Sequence, residues 1–342
     1  PRAAVAGMKL STPRWWYRRD RGVMPVARAL LTPLGWIWAA VTARRIARTA
    51  PVAVGVPVIC VGNLTVGGTG KTPVAREIAR RLTERGLSVH ILSRGYGGAL
   101  AGPLRVDPVI HQAGDVGDEP LMLAQDFPVW IARDRLAGAR AAAAAGAQVV
   151  VMDDGHQNPA TAKALSLVVC DGETREDEWP FGDGRVFPAG PMREPLAVGL
   201  ARAQASIVLL PADLAQADPE LMEALAARPA LTAHLQASTP PSGPQVGFAG
   251  VGKPWKVERA LQAAGCELAD FAPFPDHAAY NEATLRRLAD RAAQFGAGLV
   301  TTEKDWVRLP AAWRARVTAW PVRAVFDNPA ALDALLDRAL AA

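Results

Sequence analysis

Cysteine is scarce in this sequence, whose 342 residues include only Cys60, Cys170 and Cys266, far apart from one another. Because no CxxC spacing and no cluster of cysteine with histidine occurs, a disulfide framework and the common zinc sites are excluded. We expect three reduced thiols in buried positions. A large excess of charge of one sign is also lacking, since 38 basic and 33 acidic residues leave a net charge of only +5. Half of the residues are apolar, which excludes disorder by composition and, at this length, predicts two globular domains.

A long uninterrupted hydrophobic run is missing as well. The most apolar stretch, residues 29–43, is shorter than the roughly twenty residues of a membrane-spanning helix, and Pro33 and Gly35 interrupt it. Arginines flank this stretch on both sides, and several tryptophans lie before and within it. The pattern is typical of a segment in the interface of an anionic membrane, and it also fits a helix packed on the next domain. We therefore predict a basic, tryptophan-rich, amphipathic segment over residues 1–50, with both roles open.

Short apolar runs alternate with helical stretches from Val56 onward, which predicts stacked βαβ units and a parallel sheet. Proline, glycine and serine concentrate in Ser238–Pro244, the strongest boundary signal in the chain. A second α/β series follows this boundary. The sequence therefore predicts an α/β fold with a larger lobe over residues 51–238, a smaller lobe over residues 239–342 and a cleft between them.

The strongest motif is a glycine-rich loop that follows an apolar strand, Val56–Val61, and precedes a helix, Pro73–Gly86. In such a loop backbone N–H groups point at phosphate oxygens, and the helix N-terminus adds partial positive charge. Lys71 is expected to reach the β- and γ-phosphates of ATP, and the Thr72 hydroxyl to bind Mg²⁺. The alternative is a glycine turn that binds nothing. The predicted nucleotide-binding residues are Thr65, Val66, Gly67, Gly68, Thr69, Gly70, Lys71 and Thr72.

Acidic side chains supply the second half of a phosphate-transfer site. Asp153 and Asp154 follow an apolar strand, at the position where P-loop proteins carry the acid that holds Mg²⁺ directly or through water. The pattern leaves open which of the two carboxylates faces the ion. Asp118 opens a predicted helix, so it is an N-cap, a general base for a hydroxyl group, or both.

Two further positions stand out in loops. Arg193 and Glu194 end a proline-stiffened loop, where they suit a contact with phosphate or metal, although a surface salt bridge is the default for such a pair. Among the five histidines, only His277 lies in a loop that resembles a site, and the alternative for it is an ordinary surface histidine.

Together these residues resemble the tetraacyldisaccharide 4'-kinase family, the lipid A 4'-kinases, over most of the chain. Seven motifs in a common order make the resemblance specific. Thr65 replaces the glycine that begins a strict P-loop, and the family shares this replacement. The motifs are Val61–Thr65 leading into the glycine-rich loop, Ser93–Gly98, Gly117–Pro120, Asp153–Gly155, Pro188–Glu194, Phe274–His277 and Thr301–Asp305.

The resemblance implies a RecA-like P-loop NTPase lobe and a smaller α/β lobe that closes over the site. It implies phosphoryl transfer from ATP, with Mg²⁺, to the 4'-hydroxyl of a tetraacyldisaccharide 1-phosphate lipid. The place implied is the cytoplasmic face of the bacterial inner membrane, with an anionic membrane surface as partner and no nucleic acid.

The resemblance also implies residue roles. Asp118 is the expected base and His277 its partner, and Lys71 is the third catalytic group. The expected metal side consists of Thr72, Asp153 and Glu194, and the other expected site residues are Glu119, Asp154, Arg193 and Arg94. In one place the chain departs from the family pattern, because His156 and Asn158 stand where an apolar residue and a histidine are expected. His156 is therefore an extra site residue or a detail of this lineage.

Two rival functions are separable by sequence features. A P-loop GTPase usually carries an NKxD segment, whereas the most similar text here, Thr302–Asp305, has glutamate in place of asparagine. A membrane-associated, ATP-binding regulator would not need Asp118 and His277 in addition to the glycine-rich loop.

Replacement of Lys71 by alanine tests the nucleotide-binding assignment. We expect Lys71→Ala to nearly abolish phosphoryl transfer while the fold stays intact, because the change removes charge beside the transferred phosphate rather than core packing. Turnover and thermal unfolding of the variant provide the measurement. A folded variant with wild-type turnover would contradict the assignment.

Overall fold

The structure is a computed structural model that describes residues 13–20 and 24–341. Residues 1–12 and 21–23 of the predicted N-terminal segment lie outside the described residues. The strands, in chain order, are β1 Val58–Gly62, β2 Val89–Ser93, β3 Leu104–Arg105, β4 Val129–Ile131, β5 Val149–Asp153, β6 Leu165–Asp171, β7 Ala205–Pro211, β8 Ala230–Ala237, β9 Gln245–Ala249, β10 Leu268–Pro273, β11 Gly298–Thr302, β12 Val317–Trp320 and β13 Val322–Phe326.

Helices connect most of these strands, and a short 3₁₀ turn, Arg14–Tyr17, precedes them all in the described residues. The α-helices are α1 Pro25–Arg48, α2 Lys71–Glu84, α3 Ala113–Val116, α4 Asp118–Leu123, α5 Arg135–Ala144, α6 Leu196–Ala201, α7 Pro219–Leu225, α8 Pro254–Ala263, α9 Glu282–Gln294, α10 Glu303–Trp306, α11 Ala311–Arg314 and α12 Pro329–Ala341.

The larger lobe is built on a sheet of nine described strands in the order β13-β8-β7-β6-β1-β5-β2-β4-β3. Its neighbouring strands are parallel except at the two edges, where β13 and β3 run antiparallel to their partners. Strands of a parallel sheet covered by helices on both faces are apolar along their whole length, and β5 is buried throughout. The predicted parallel sheet is confirmed.

This topology puts the glycine-rich loop and the two predicted aspartates at one edge of the larger sheet. β1 lies between β5 and β6, with Val61 opposite Asp153. Because the carboxyl ends of parallel strands meet at the same edge, the glycine-rich loop after β1 lies beside the aspartates at the end of β5. The loop that follows β2 belongs to the same edge.

The smaller lobe contains a parallel sheet of four described strands in the order β10-β9-β11-β12. Its core includes Phe248 of β9, Leu285 of α9 and Trp313 of α11. The two sheets have separate cores, so the prediction of two α/β lobes agrees with the structure.

The end of the chain differs from the prediction. We expected residues 239–342 to form the smaller lobe, but β13 pairs with β8 in the larger sheet and α12 covers that sheet. The smaller lobe therefore ends near residue 320. The physical reason is that β8 would otherwise leave an open edge, and that Leu332 and Leu336 of α12 are fully buried in the larger core.

Helix α1 also corrects an expectation. Pro33 and Gly35 were expected to interrupt it, yet the helix is continuous over 24 residues. A proline inside a helix removes one backbone hydrogen bond and costs about 3 kcal/mol, which the packing of α1 on the larger lobe must offset. Gly35 permits close packing instead of a break, because a Cβ there would lie 2.8 Å from the carbonyl oxygen of Val186. Among the described residues α1 is the one helix whose length and apolar composition would suffice to cross a membrane.

The two faces of α1 are unlike those of an ordinary packed helix. The positions buried against the larger lobe are Arg28, Gly35 and Thr42, seven residues apart. The opposite face is apolar and open to solvent. The exposed side chains there include Val26, Leu30, Leu34, Ile37 and Val41, of which Leu30 is 73% exposed.

Replacement of Leu332 tests the return of the chain to the larger lobe. We expect Leu332→Ala to lower the free energy of unfolding by about 2–5 kcal/mol, because it leaves a cavity beneath the larger sheet. The exposed Arg338 on the same helix is the matched control, and Arg338→Ala should change stability by no more than about 0.5 kcal/mol. Urea unfolding measures both, and equal small effects would refute the assignment of α12 to this core.

Candidate active site

The glycine-rich loop is shaped by contacts within itself. The buried side chain of Asn63 donates from Nδ2 to the carbonyl of Thr65 at 2.8 Å and to the hydroxyl of Thr69 at 3.1 Å. Gly70, with a φ of 76°, opens α2, and a Cβ there would lie 2.2 Å from a methyl carbon of Leu209. Glycine is therefore required at this turn, on both conformational and steric grounds.

The predicted metal side is assembled in part. The Thr72 hydroxyl donates to Oδ2 of Asp153 at 3.1 Å, so these two residues meet as expected. Burial, with the nearby charge of Glu119, raises the pKa of Asp153 to about 7. Among the described residues Oδ1 of Asp153 is buried without a hydrogen-bond partner. A buried carboxylate oxygen without a hydrogen-bond partner, beside a hydroxyl, suits a cation, because an unsatisfied buried acceptor otherwise costs free energy.

Asp154 contacts the two cationic side chains of the site, Lys71 and Arg193. Nζ of Lys71 lies 3.8 Å from its Oδ2, and Arg193 binds both of its carboxylate oxygens at 2.6 and 3.1 Å. Burial raises the pKa of Asp154, but the charges of Lys71 and Arg193 outweigh burial and hold the pKa well below its ordinary value. Asp154 stays ionised and fixes the positions of both cations.

The proline-stiffened loop Pro188–Glu194 contacts the start of the glycine-rich loop and supports it. Arg193 donates from its backbone N–H to the carbonyl of Leu64 at 2.7 Å and from Nε to the carbonyl of Thr65 at 3.0 Å. Glu194, predicted as a metal ligand, is buried and instead bonds Arg202 at 2.6 and 2.7 Å. Its Oε1 also accepts a hydrogen bond from Gln157 at 3.0 Å.

Asp118 and His277 meet across the cleft. Asp118 begins α4 in the larger lobe and is almost fully buried, and its Oδ2 lies 2.8 Å from Nδ1 of His277 in the smaller lobe. The turn at His277 has a φ of 57°, and its N–H donates to the carbonyl of Gly250 at 3.2 Å. The predicted pairing of these two residues therefore has hydrogen-bond geometry.

The same carboxylate is surrounded by further cations. Burial raises the pKa of Asp118, but the hydrogen bond with His277 and the charges of Lys304 and Arg308 together lower it below the ordinary value. Nζ of Lys304 lies 4.0 Å and Nε of Arg308 lies 3.7 Å from Oδ2 of Asp118. Lys304 also forms an ion pair with Glu119 at 3.1 Å, which places Glu119 at the site as expected.

Sequence reasoning gave Lys304 and Arg308 no role. Lys304 belongs to the motif Thr301–Asp305, which was a usable signal, and Arg308 follows four residues later, close to it on successive turns. Arg94, predicted as a site residue, is exposed where β2 ends, and no hydrogen bond of its side chain occurs in the described part of the chain.

His156 has a structural role, so its assignment as a possible extra site residue is not supported by its geometry. Its ring is buried between Oγ of Ser166 at 2.9 Å and the carbonyl of Gly199 at 3.0 Å. Burial and the nearby charge of Arg202 lower its pKa to about 4. The imidazole is therefore neutral at physiological pH, and both of its nitrogens are engaged.

The smaller lobe reaches over the glycine-rich loop. A Cβ at Gly252 would lie 3.6 Å from Oδ2 of Asp276 and 3.9 Å from the backbone N of Gly68. His277 follows Asp276, so the carboxylate–histidine pair lies close to the phosphate-binding loop. Ion pairs also link the lobes, among them Arg76 of α2 with Glu303 of α10 at 2.8 Å.

Phosphate binding explains Lys71 and Thr72, but it requires no carboxylate–histidine pair from a second lobe. Such a pair, close to a phosphate loop, suits a hydroxyl acceptor that must lose its proton. The fold and the site thus define a kinase of the P-loop class, with a RecA-like larger lobe.

Comparison with known proteins narrows this class. The family model described as tetraacyldisaccharide-1-P 4'-kinase matches residues 27–341. A tetraacyldisaccharide 4'-kinase of Phenylobacterium zucineum (strain HLK1) is 73% identical over 330 residues, which cover 96% of this chain and 99% of the relative. One from Caulobacter vibrioides (strain NA1000 / CB15N) is 69% identical over 330 residues, with 96% and 98% covered.

A solved structure agrees with these relatives. The "apo" form of LpxK from Aquifex aeolicus in complex with ATP matches with a TM-score of 0.73 at 25% identity, covering 92% of this chain and 99% of that one. This chain belongs to the tetraacyldisaccharide 4'-kinase family. The resemblance inferred from the motifs is confirmed, and the GTPase and the ATP-binding regulator are set aside.

Proposed function

We propose that this protein transfers the γ-phosphate of ATP to the 4'-hydroxyl of a tetraacyldisaccharide 1-phosphate lipid in lipid A biosynthesis. The observation that carries the proposal is the hydrogen bond between Asp118 and His277 across the cleft, beside the glycine-rich loop of a member of this family. A phosphate-binding loop alone serves many functions, whereas an oriented, ionised carboxylate suits an alcohol acceptor.

Asp118 accepts the proton of the acceptor hydroxyl in this proposal. Its lowered pKa keeps the carboxylate ionised at neutral pH, and Nδ1 of His277 at 2.8 Å sets its orientation. Because His277 comes from the other lobe, the base is correctly oriented only when the lobes are close together.

Lys71 acts on the transferred phosphate. In the structure its ammonium group lies 3.8 Å from Asp154, a contact that ATP phosphates would replace. Arg193 keeps its bidentate hold on Asp154, so this carboxylate does not lose both cations at once. Phosphoryl transfer requires positioning and charge neutralisation more than covalent chemistry, and these groups supply both.

The residues present fit a magnesium ion. Oδ1 of Asp153 has no hydrogen-bond partner in the described residues, and the Thr72 hydroxyl lies beside the same carboxylate. Mg²⁺ usually takes one or two protein oxygens together with substrate phosphates and water. Thr72 and Asp153 would hold it, and when bound it neutralises charge on the β- and γ-phosphates. Glu194, engaged by Arg202, would bind the ion directly only after leaving that arginine, so we assign it a supporting role through Gln157.

Helix α1 supports peripheral attachment to the cytoplasmic face of the inner membrane, where ATP and the lipid acceptor meet. It packs along its side on the larger lobe through Arg28, Gly35 and Thr42, so crossing the membrane would bring the lobe with it. An apolar outer face with Arg44 and Arg48 at its end suits insertion parallel to the surface of an anionic membrane.

Transfer of ³²P from ATP to a disaccharide 1-phosphate lipid tests the proposed function directly. We expect a labelled lipid with wild-type protein, and almost no label with Lys71→Ala. Folded protein that binds ATP but labels no acceptor would refute the function.

Single and double replacements test the base. Asp118→Asn keeps the shape of the side chain but removes the base, so we expect kcat to fall by roughly 10²–10⁴ with little change in ATP affinity or melting temperature. His277→Ala should lower kcat similarly, and the double variant should lose much less than the product of the two losses. If the loss of kcat in the double variant equals the product of the two single losses, the residues act independently. In the structure Gly117, rather than Asp118, is the N-cap of α4, so a loss of stability with unchanged kcat would show only that Asp118 contributes to folding.

Replacements on α1 test membrane attachment. Each apolar side chain buried in the membrane contributes about 1.5–3 kcal/mol, so Leu30→Ser, Ile37→Ser and Val41→Ser together should weaken vesicle binding at least tenfold, at low and high salt alike. The matched control is Val109→Ser with Ile110→Ser, which removes two exposed apolar side chains elsewhere. Vesicle sedimentation measures both, and equal effects of the two variants, or no effect of the first, would contradict the membrane-facing role of α1.

A further inference from the structure

The 3₁₀ turn Arg14–Tyr17 lies where three parts of the molecule meet. It precedes α1, and it also precedes residue 27, where the match to the family model begins. The turn is anchored by Trp16, which is buried and packs edge-on against Phe187 at 5.9 Å between ring centroids. Because the turn is anchored in this way, it can fix the positions of the residues that it contacts.

Its first contact is with the glycine-rich loop. The hydroxyl of Tyr17 donates a hydrogen bond to the carbonyl of Val66, the second residue of that loop. The backbone N–H of Val66 donates in turn to the carbonyl of Pro191 at 2.7 Å. Both polar backbone groups of Val66 are therefore engaged, one of them by the N-terminal turn.

Its second contact is with the smaller lobe. Nζ of Lys253 lies 4.8 Å from the centre of the Tyr17 ring, and the guanidinium of Arg14 lies 4.0 Å from the centre of the Trp255 ring. Both distances are within the range of cation–π attraction. Gly252, the neighbour of Lys253, is the residue that approaches the backbone N of Gly68. The turn thus touches the phosphate loop and the segment that covers it.

Its third contact is with α1. Arg28, almost fully buried, donates to the carbonyl of Trp15 at 2.6 Å and to the carbonyl of Asp20 at 3.1 Å. The same guanidinium pairs with buried Asp183 at 3.1 Å. Because a buried arginine must keep all of these partners, the turn and the helix are fixed relative to each other.

We propose that this turn positions the glycine-rich loop and the smaller lobe relative to α1, and that Tyr17 is a positioning residue for ATP. The chain of contacts runs from α1 through Arg28 to the turn, and from Tyr17 to Val66. The inference rests on the proposed function only in taking ATP as the ligand. It means that the helix assigned to the membrane and the nucleotide site are mechanically connected.

Removal of one hydroxyl tests this. Tyr17→Phe keeps the ring against Lys253 and deletes the donor to Val66, so we expect the Kd and KM for ATP to rise roughly three- to tenfold. The kcat at saturating ATP and the melting temperature should stay close to wild type. The Kd is measured with Mg·ATP by competition against a fluorescent ATP analogue, without lipid, on the full chain.

The matched control is Arg18→Ala, next to Tyr17, because the Arg18 guanidinium is half exposed and pairs only loosely with exposed Asp177 at 3.7 Å. It should leave the ATP Kd within about twofold. Arg14→Ala, which removes the contact with Trp255, should raise the Kd in the same direction as Tyr17→Phe.

Two results would overturn the inference. One is an ATP Kd and KM within twofold of wild type in Tyr17→Phe. The other is a common fall in melting temperature, kcat and affinity in Tyr17→Phe and Arg18→Ala, which would show that the turn only contributes packing. If wild-type protein binds ATP but labels no lipid, the proposed function fails, while the Kd comparison still decides the role of Tyr17.

Discussion

The buried carboxylate of Asp118 needs cationic and hydrogen-bonding partners, and this need governs the geometry of the cleft. Asp118 belongs to the larger lobe, yet His277, Lys304 and Arg308, the groups that neutralise or bind it, belong to the smaller lobe. An uncompensated buried carboxylate costs several kcal/mol, so the lobes are stable in this arrangement only when those groups can reach it. The same proximity brings Gly252 over Gly68 and covers the phosphate loop.

The two lobes are held together by the two chain connections between them. The chain leaves the larger sheet at the end of β8 and returns at the start of β13, and the N–H of Ser238 donates to the carbonyl of Pro321 at 3.0 Å where the two connections pass each other. The two adjacent connections therefore join the smaller lobe to the larger lobe at one place. The ion pair of Arg76 with Glu303 then links that lobe to the helix that begins with Lys71. Lobe position and phosphate binding therefore depend on shared elements.

The N-terminal helix shows how burial can reverse the usual arrangement of side chains. α1 meets the protein with arginine, glycine and threonine, and most of its large aliphatic side chains face outward. Composition alone predicted a basic segment that binds a membrane or packs on the protein, and the structure shows that α1 has one face packed on the larger lobe and one exposed apolar face. Pro33 and Gly35 misled the prediction because helix propensity is a local preference, about 1 kcal/mol for glycine and about 3 kcal/mol for proline, which tertiary contacts can override. Here those contacts include the ion pair of Arg28 with Asp183 and the close approach of Gly35 to Val186.

Local physics accounts for what could be predicted from the sequence by itself. The glycine-rich loop lies directly between its strand and its helix, and the two aspartates stand at the end of the apolar strand β5, so each motif is contiguous in the chain and can be read within a few residues. The pairing of Asp118 with His277 was predicted from family motifs rather than from local pattern. Tertiary structure alone decided that β13 pairs at the edge of the larger sheet and that Lys304 and Arg308 flank Asp118. It also decided that Arg202 forms an ion pair with Glu194 and that Tyr17 donates a hydrogen bond to Val66. These contacts join residues distant in sequence or depend on how two lobes approach, and no local preference specifies such an approach.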